Sequence, residues 1–114
     1  MSALASVPKA LPALAQARAL QDRAERLGLK VGLGEDERIP PEIRGDQQAF
    51  GQMLFALIAQ ARHAGIDPEE ALRKTNANFR QRFGTVESLA RGHGQKVEDL
   101  SKGEQREAWD HGRG

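Results

Sequence analysis

The stretch RKTNANFRQR, residues 73–82, concentrates the side chains best suited to holding an anion. Asn78 and Arg82 stand four apart, one helical turn, and Asn76 lies close to the face whose apolar members repeat at helical spacing. A guanidinium at the edge of a cleft holds a phosphate by paired, charge-assisted hydrogen bonds, which makes Arg82 a candidate phosphate contact. The same groups have a structural alternative: Arg82 paired with a carboxylate, and Asn76, whose amide must find partners if buried, capping a neighbouring helix. Arg73, Lys74 and Arg80 fall further round and read as solvated.

Glu35, Asp36, Glu37 and Glu42 supply clustered carboxylate oxygens of the kind that hard cations such as Mg²⁺ prefer. They lie beside prolines, without the i, i+3, i+4 spacing that would aim several carboxylates at one point from a helix, so a solvated charge run is the favoured reading. His63, His93 and His111 are far apart in sequence and none has an acidic residue at metal-ligand spacing. Gly32-Leu33-Gly34 and Gly92-His93-Gly94 lack the Lys-Ser/Thr of a phosphate loop and the third glycine of a dinucleotide turn. No serine sits in a nucleophile-elbow setting. The chain has no cysteine, which excludes disulfides, thiolate nucleophiles and Cys-ligated metal sites. The residues therefore assign no catalytic group and no metal ligand.

The elements that must carry these groups are helical. FGQMLFALIAQAR, residues 50–62, places Phe50, Met53, Leu54, Leu57, Ile58 and Ala61 on one helix face. Its other side, Ala49, Gln52, Ala56 and Ala59 with His63 near the end, is small or uncharged. A helix apolar or small nearly all round is normally buried between layers, so the spacing predicts this one as the central helix, capped by Asp46, starting near Gln47 and ended by Gly65. The next helix starts at Asp67 as N-cap, Pro68 in the first position and Glu70 closing a capping box. Leu72, Thr75, Asn76, Phe79, Phe83, Val86 and Ala90 share its face, and Gly92 and Gly94 end it. An earlier helix over 12–27 turns Leu14, Ala17, Leu20, Ala24 and Leu27 inward and stops at Gly28. Residues 28–46, rich in Gly and Pro, form an irregular connector, because Pro40-Pro41 forbids a continuous helix there. Residues 104–110 make a short last helix that sets Trp109 on the bundle, and the tail 111–114 frays.

With 114 residues, the chain fits one domain with a single core. A net charge of +1, from 17 basic and 16 acidic residues, gives no strong field for nucleic acid or an anionic membrane. The amino-terminal MSALASVPKALPALAQARAL is interrupted by Pro8, Lys9 and Pro12; it makes a poor signal peptide and is too short to span a bilayer, leaving the cytoplasm as the expected compartment. An all-α bundle of three to four helices, one too apolar for a comfortable monomer, points to completion by a second copy.

Three segments, in order, also resemble a known family. Residues 7–29, VPKALPALAQARALQDRAERLGL, look like the opening helix of MazG-type nucleoside triphosphate pyrophosphohydrolases. Residues 53–83, MLFALIAQARHAGIDPEEALRKTNANFRQRF, are similar to that family's most recognisable segment, and REAWD, residues 106–110, looks like its carboxy-terminal Trp element. The resemblance implies an all-α, dimer-forming fold and Mg²⁺-dependent hydrolysis of nucleoside triphosphates to the monophosphate and pyrophosphate, with Arg82 and Trp109 as the surviving substrate contacts and Asn78 a candidate third. In the family, Glu-Glu-x-x-Glu on one helix and Glu-x-x-Asp at the start of the central helix hold the metal. Here the second element falls on Ala49 and Gln52, and GLGEDERIPPEIRGDQQ is too short and proline-rich to carry the first. Asn78 stands where the family has a basic residue. Hydrolysis is therefore expected to be impaired, and a non-catalytic nucleotide-binding or dimeric interaction module is the alternative.

Overall fold

Asp67 accepts hydrogen bonds at Oδ1 from the backbone N–H groups of Glu69 and Glu70, at 3.0 and 3.4 Å, and Pro68 opens the longest helix of the molecule, α3, Pro68–Gly92. Pro68 is pre-set for a first helical turn, and Glu69 and Glu70 oppose the positive end of the helix dipole. The return bond of a capping box, from Glu70 to Asp67, does not form. The computed structural model describes residues 2–29 and 40–111. Before α3 come α1, Ala13–Arg26, and α2, Gln47–His63, and after it α4, Lys102–His111. Single 3₁₀ turns at Ala3–Ser6, Pro41–Ile43 and Val97–Asp99 complete the path, and the described residues contain no strand. The fold is all-α, as the sequence predicts. Residues 30–39, which include Gly32, Gly34 and the carboxylates Glu35, Asp36 and Glu37, lie outside the described residues, as does the predicted frayed tail beyond His111; His111 itself is the last residue of α4.

The helix boundaries follow local chemistry. Asp46 accepts the Ala49 N–H at 3.0 Å and starts α2. Gly65, at φ +74°, lets the chain reverse, so that Ile66 N–H reaches Ala61 O at 2.8 Å and Gly65 N–H reaches Arg62 O at 3.1 Å. A side chain there would be strained in the left-handed region, and this closing motif satisfies carbonyls that the helix end leaves open.

The core forms around α3. Phe83 and Val86 are fully buried, with Ala90 beside them, against Leu20 and Ala24 of α1, Leu4 and Val7 of the amino-terminal segment, Val97 of the last 3₁₀ turn, Leu100 just after it and Ala108 of α4. Burying aliphatic and aromatic side chains of this size stabilises by about 1.5–3 kcal/mol each. The predicted inward face of α3 is correct except at Thr75, which is exposed and hydrogen-bonds back to Ala71 O. On α1 the face is rotated: Ala13, Gln16, Leu20 and Ala24 are buried, whereas Leu14 is 59% exposed. The rotation follows from polar partners on α3, which draw Gln16 and the Ala13 carbonyl inward.

The largest departure concerns α2. It is not the buried centre: it contains no buried residue, and Phe55, Leu57, Ile58, Phe50 and Leu54 are 78, 57, 46, 44 and 38% exposed. The positions beside α3 are taken by α1, the amino-terminal segment and α4, and α2 packs mainly on part of α3 and on the 3₁₀ turn before it. None of the helices formed by described residues is long and apolar enough to cross a membrane.

Candidate functional site

Arg82 leaves α3 one position before the buried Phe83 and is aimed at the end of α4. Its guanidinium carbon lies 4.1 Å from the centroid of the Trp109 ring. Its Nε–H donates to the Trp109 carbonyl at 2.8 Å, and one terminal nitrogen stands 3.8 Å from Asp110 Oδ1. Phe79, a turn earlier on α3, meets the same indole with ring centroids 5.2 Å apart and a 59° tilt. The last carbonyls of a helix have no intrahelical donor. Arg82 therefore caps the carboxy-terminal end of α4 and opposes the negative end of its dipole, while its cationic plane rests on the indole face. The structure brings Arg82 and Trp109 together, as a pair that also fastens α4 to α3. It does not join Asn78 to them: Asn78, a turn before Arg82, is exposed, and its side chain makes no hydrogen bond among the described residues.

Asn76 follows the structural alternative. It is 3% exposed and donates from Nδ2 to the Ala13 carbonyl at 3.0 Å, at the start of α1. Arg80 corrects the sequence reading of a solvated side chain. Half-buried, it donates to Leu4 O at 3.2 Å, Val7 O at 3.0 Å and Gln16 Oε1 at 3.2 Å. The signal that could have found it is its position seven residues before Glu87, which accepts the Ala3 N–H at 3.0 Å and so lies on the same side of α3.

Two grooves flank these elements. One, of 520 Å³, is lined by the apolar Leu89, Leu100 and Ala108, the carboxylates Glu104, Glu107 and Asp110, and His93 and His111. Its carboxylates repel a polyphosphate. Glu104 is held below the usual glutamate range because it accepts the Ser101 backbone N–H at 2.9 Å, with the Ser101 hydroxyl and His93 acting in the same direction. The other, of 450 Å³, runs along the start of α2 between Gly45, Asp46, Phe50 and Leu54. Ala49 and Gln52 share that half of the helix, Ala49 half-buried and Gln52 exposed. Among the described residues, no group of three His, Asp or Glu side chains is placed to hold a metal ion.

Over 99% of its length the chain is 31% identical to the nucleoside triphosphate pyrophosphohydrolase/pyrophosphatase MazG of Thermotoga maritima, covering 49% of that protein. It is 32% identical over 95% of its length to the nucleoside triphosphate pyrophosphohydrolase of Escherichia coli K12, covering 47% of it. With the uncharacterized protein YabN of Bacillus subtilis the identity is 35% over 95% of the chain and 25% of YabN. The chain thus spans half or less of the length of these curated relatives. Each alignment runs over 123 or 124 positions, more than the 114 residues of this chain, so each relative carries residues with no counterpart here. No family model matches the chain, and no solved structure does.

Proposed function

We propose that this chain recognises nucleoside triphosphates as a short MazG-like, nucleoside triphosphate pyrophosphohydrolase-type domain, with hydrolysis to monophosphate and pyrophosphate strongly reduced. The observation that carries the recognition is similarity along nearly the whole chain to two nucleoside triphosphate pyrophosphohydrolases. Loss of turnover is supported by Ala49 and Gln52, which present a methyl group and a neutral amide where the resemblance calls for carboxylates. A triphosphate carries several negative charges, and bringing it to a site without a neutralising cation leaves Arg82 as the main electrostatic attraction. In this reading a phosphate oxygen replaces Asp110 at the Arg82 terminal nitrogen, a contact already long at 3.8 Å. Asn78 adds an amide donor from the preceding turn, and Trp109 offers the base an aromatic surface. The protein acts in the cytoplasm and as a homodimer.

A second reading, a dimeric interaction module without nucleotide, is favoured by the use Arg82 already has as the cap of α4. Pyrophosphate release from each nucleoside triphosphate with Mg²⁺, together with calorimetric titration with and without Mg²⁺, separates the two. Binding heats reduced by Asn78→Ala, with release close to the buffer blank, support the proposal. Asn78 is exposed, so its substitution leaves the fold intact. Vigorous release overturns the claim of reduced turnover, and absence of any binding heat leaves the interaction module standing.

A further inference from the structure

The 520 Å³ groove between the end of α3 and α4 combines an apolar lining with carboxylates of one sign of charge. On α4, Glu104, Glu107, Ala108 and His111 fall at the three- and four-residue spacing of one helix face, and Asp110 follows three residues after Glu107. Leu89 of α3 and Leu100, just before α4, add apolar surface, and Leu89 is 37% exposed. The basic residues of α4 do not cancel the charge from within the helix: Lys102 and Arg106 each stand two positions from Glu104, a spacing that turns side chains to different faces. On α3, Arg91 is directed to the Ser88 hydroxyl at 3.3 Å. Arg82 offsets part of the Asp110 charge across 3.8 Å. Glu104 stays ionised through the Ser101 N–H that it accepts at 2.9 Å. The Glu107 side chain has neither a hydrogen bond nor an ion pair among the described residues.

The spacing of these charges selects the ligand. Glu104, Glu107 and Asp110 advance by about 4.5 Å per step along the helix axis, about 9 Å in all. A metal ion needs oxygens that converge on one point, and among the described residues no group of three His, Asp or Glu side chains does so. An anion is repelled, and an uncharged apolar ligand would strip water from the carboxylates without replacing it. A linear aliphatic polyamine answers both features of the groove. Its ammonium groups are separated by short methylene runs, which suits charges spread along a line, and the methylenes leave water against Leu89, Leu100 and Ala108. A lysine side chain divides itself in the same way, with its stem along apolar surface and its charged head in water. The groove volume falls in the range of small-ligand sites.

We propose that the groove between α3 and α4 binds a linear aliphatic polyamine, its ammonium groups paired with Glu104, Glu107 and Asp110 and its methylenes laid on Leu89, Leu100 and Ala108. The commitment to this occupant rests on complementarity of charge and of its spacing. The site is separate from the nucleotide reading and does not depend on it.

The test is calorimetric titration of the full chain with spermidine in the absence of nucleotide, so that failure of the nucleotide reading leaves the result untouched. Spermidine should bind at one molecule per chain and lose affinity as salt rises. Butylamine, with one charge on a similar stem, and Mg²⁺, with charge and no stem, should bind more weakly. Glu107→Gln removes one exposed charge and should weaken spermidine about two- to fivefold, and Leu89→Ser, which removes apolar surface, should weaken it as well. Glu98→Gln, an exposed carboxylate outside the groove, should leave it unchanged. All three substitutions are at exposed positions, and native Trp109 emission verifies that each variant folds. Spermidine heats no larger than the buffer blank overturn the proposal. Equal weakening by Glu98→Gln and Glu107→Gln, or Mg²⁺ matching spermidine at the same concentration of charge, also overturns it, because it shows diffuse counter-ion attraction in place of a site. A Leu/Lys model helix that binds where spermidine does not overturns it too and assigns the groove to a basic protein segment.

Discussion

Arg82→Ala should release α4 from the bundle, and the size of the effect can be worked from its contacts. The hydrogen bond from the charged guanidinium to the Trp109 carbonyl, at 2.8 Å, is of the class that contributes about 1.5–3 kcal/mol. The guanidinium stacked at 4.1 Å on the indole adds about 0.5–2 kcal/mol. The Asp110 contact is long, and the Asp110 side chain is 57% exposed, so solvent screening leaves it with about 0.5 kcal/mol or less. These contributions overlap, because one side-chain geometry serves all of them, and their combined loss comes to about 2–3 kcal/mol. For a domain of this size that is a fall of roughly 8–12 °C in melting temperature. The molecule supplies its own reporter: Trp109 is the only tryptophan and there is no tyrosine, so emission excited in the near ultraviolet reads the environment of α4 alone. The variant should melt earlier and show red-shifted Trp109 emission even before the main transition. Arg82→Lys, which keeps the charge and loses the planar stack, should fall between. Unchanged emission with a melting temperature within about 2 °C of the native protein would refute the assignment of Arg82 as the cap of α4.

Arg80→Met should cost about 2–4 kcal/mol, because it removes the donors to Leu4 O, Val7 O and Gln16 and leaves the Gln16 amide oxygen buried without them; a denaturant midpoint that does not move would show the clamp to be idle. Acid should loosen the start of α4. The fold holds the Glu104 carboxyl below its ordinary value of 4.5 by hydrogen bonds to the ionised form, so its contribution is complete above pH 4.5 and is lost as pH falls through the lower folded value. Glu104→Gln should flatten that part of the acid titration followed by Trp109 emission, and a native-like acid profile in this variant would place the sensitivity elsewhere. The double variant Ala49→Glu/Gln52→Asp should not restore Mg²⁺-dependent pyrophosphate release, since two carboxylates on α2 still lack the acidic helix that the resemblance requires before it; robust turnover would show that residues of the 30–39 segment complete the site.

Much of the fold was legible because its signals are local. Asp46, Asp67, Pro68, Gly28 and Gly65 mark helix ends through the conformations and hydrogen bonds they can make within a few residues, and the structure uses each of them so. The spacing of Phe79, Phe83, Val86 and Ala90 fixed one face of α3 for the same reason. Membership of that face also placed Asn76 inward, and Arg82 four residues beyond Asn78 on its flank. What spacing cannot state is the partner. The periodicity of α2 reports a face that avoids water, with equal force whether it is covered by its own chain or by another, and here the described residues of its own chain leave it open. The amino-terminal segment failed in the opposite way: Pro8 and Pro12 concealed that Leu4 and Val7 enter the core, because a 3₁₀ turn is too short to show a period.

The least legible feature is the one that organises the molecule. α1 begins at Pro12 without a side-chain cap of its own, and Glu69 of α3 supplies the missing acceptor to the Ala13 N–H at 2.9 Å. Glu87 does the same for the 3₁₀ turn at Ala3, Arg80 takes the carbonyls that leave that turn, and Arg82 takes a carbonyl at the end of α4. α3 thus closes the open ends of the elements around it, using polar side chains that a sequence reading assigns to solvent or to ligand. Each such bond joins residues 27 to 84 apart in the chain, beyond the reach of any local pattern. The double duty of Arg82 follows from this placement. A phosphate drawn to its terminal nitrogen competes with Asp110, whereas the Nε bond to the Trp109 carbonyl and the indole stack keep the guanidinium plane in position. Nucleotide binding at Arg82 should therefore leave α4 docked, with Trp109 emission changed by stacking of the base and the melting temperature raised, whereas a nucleotide that undocked α4 would lower it.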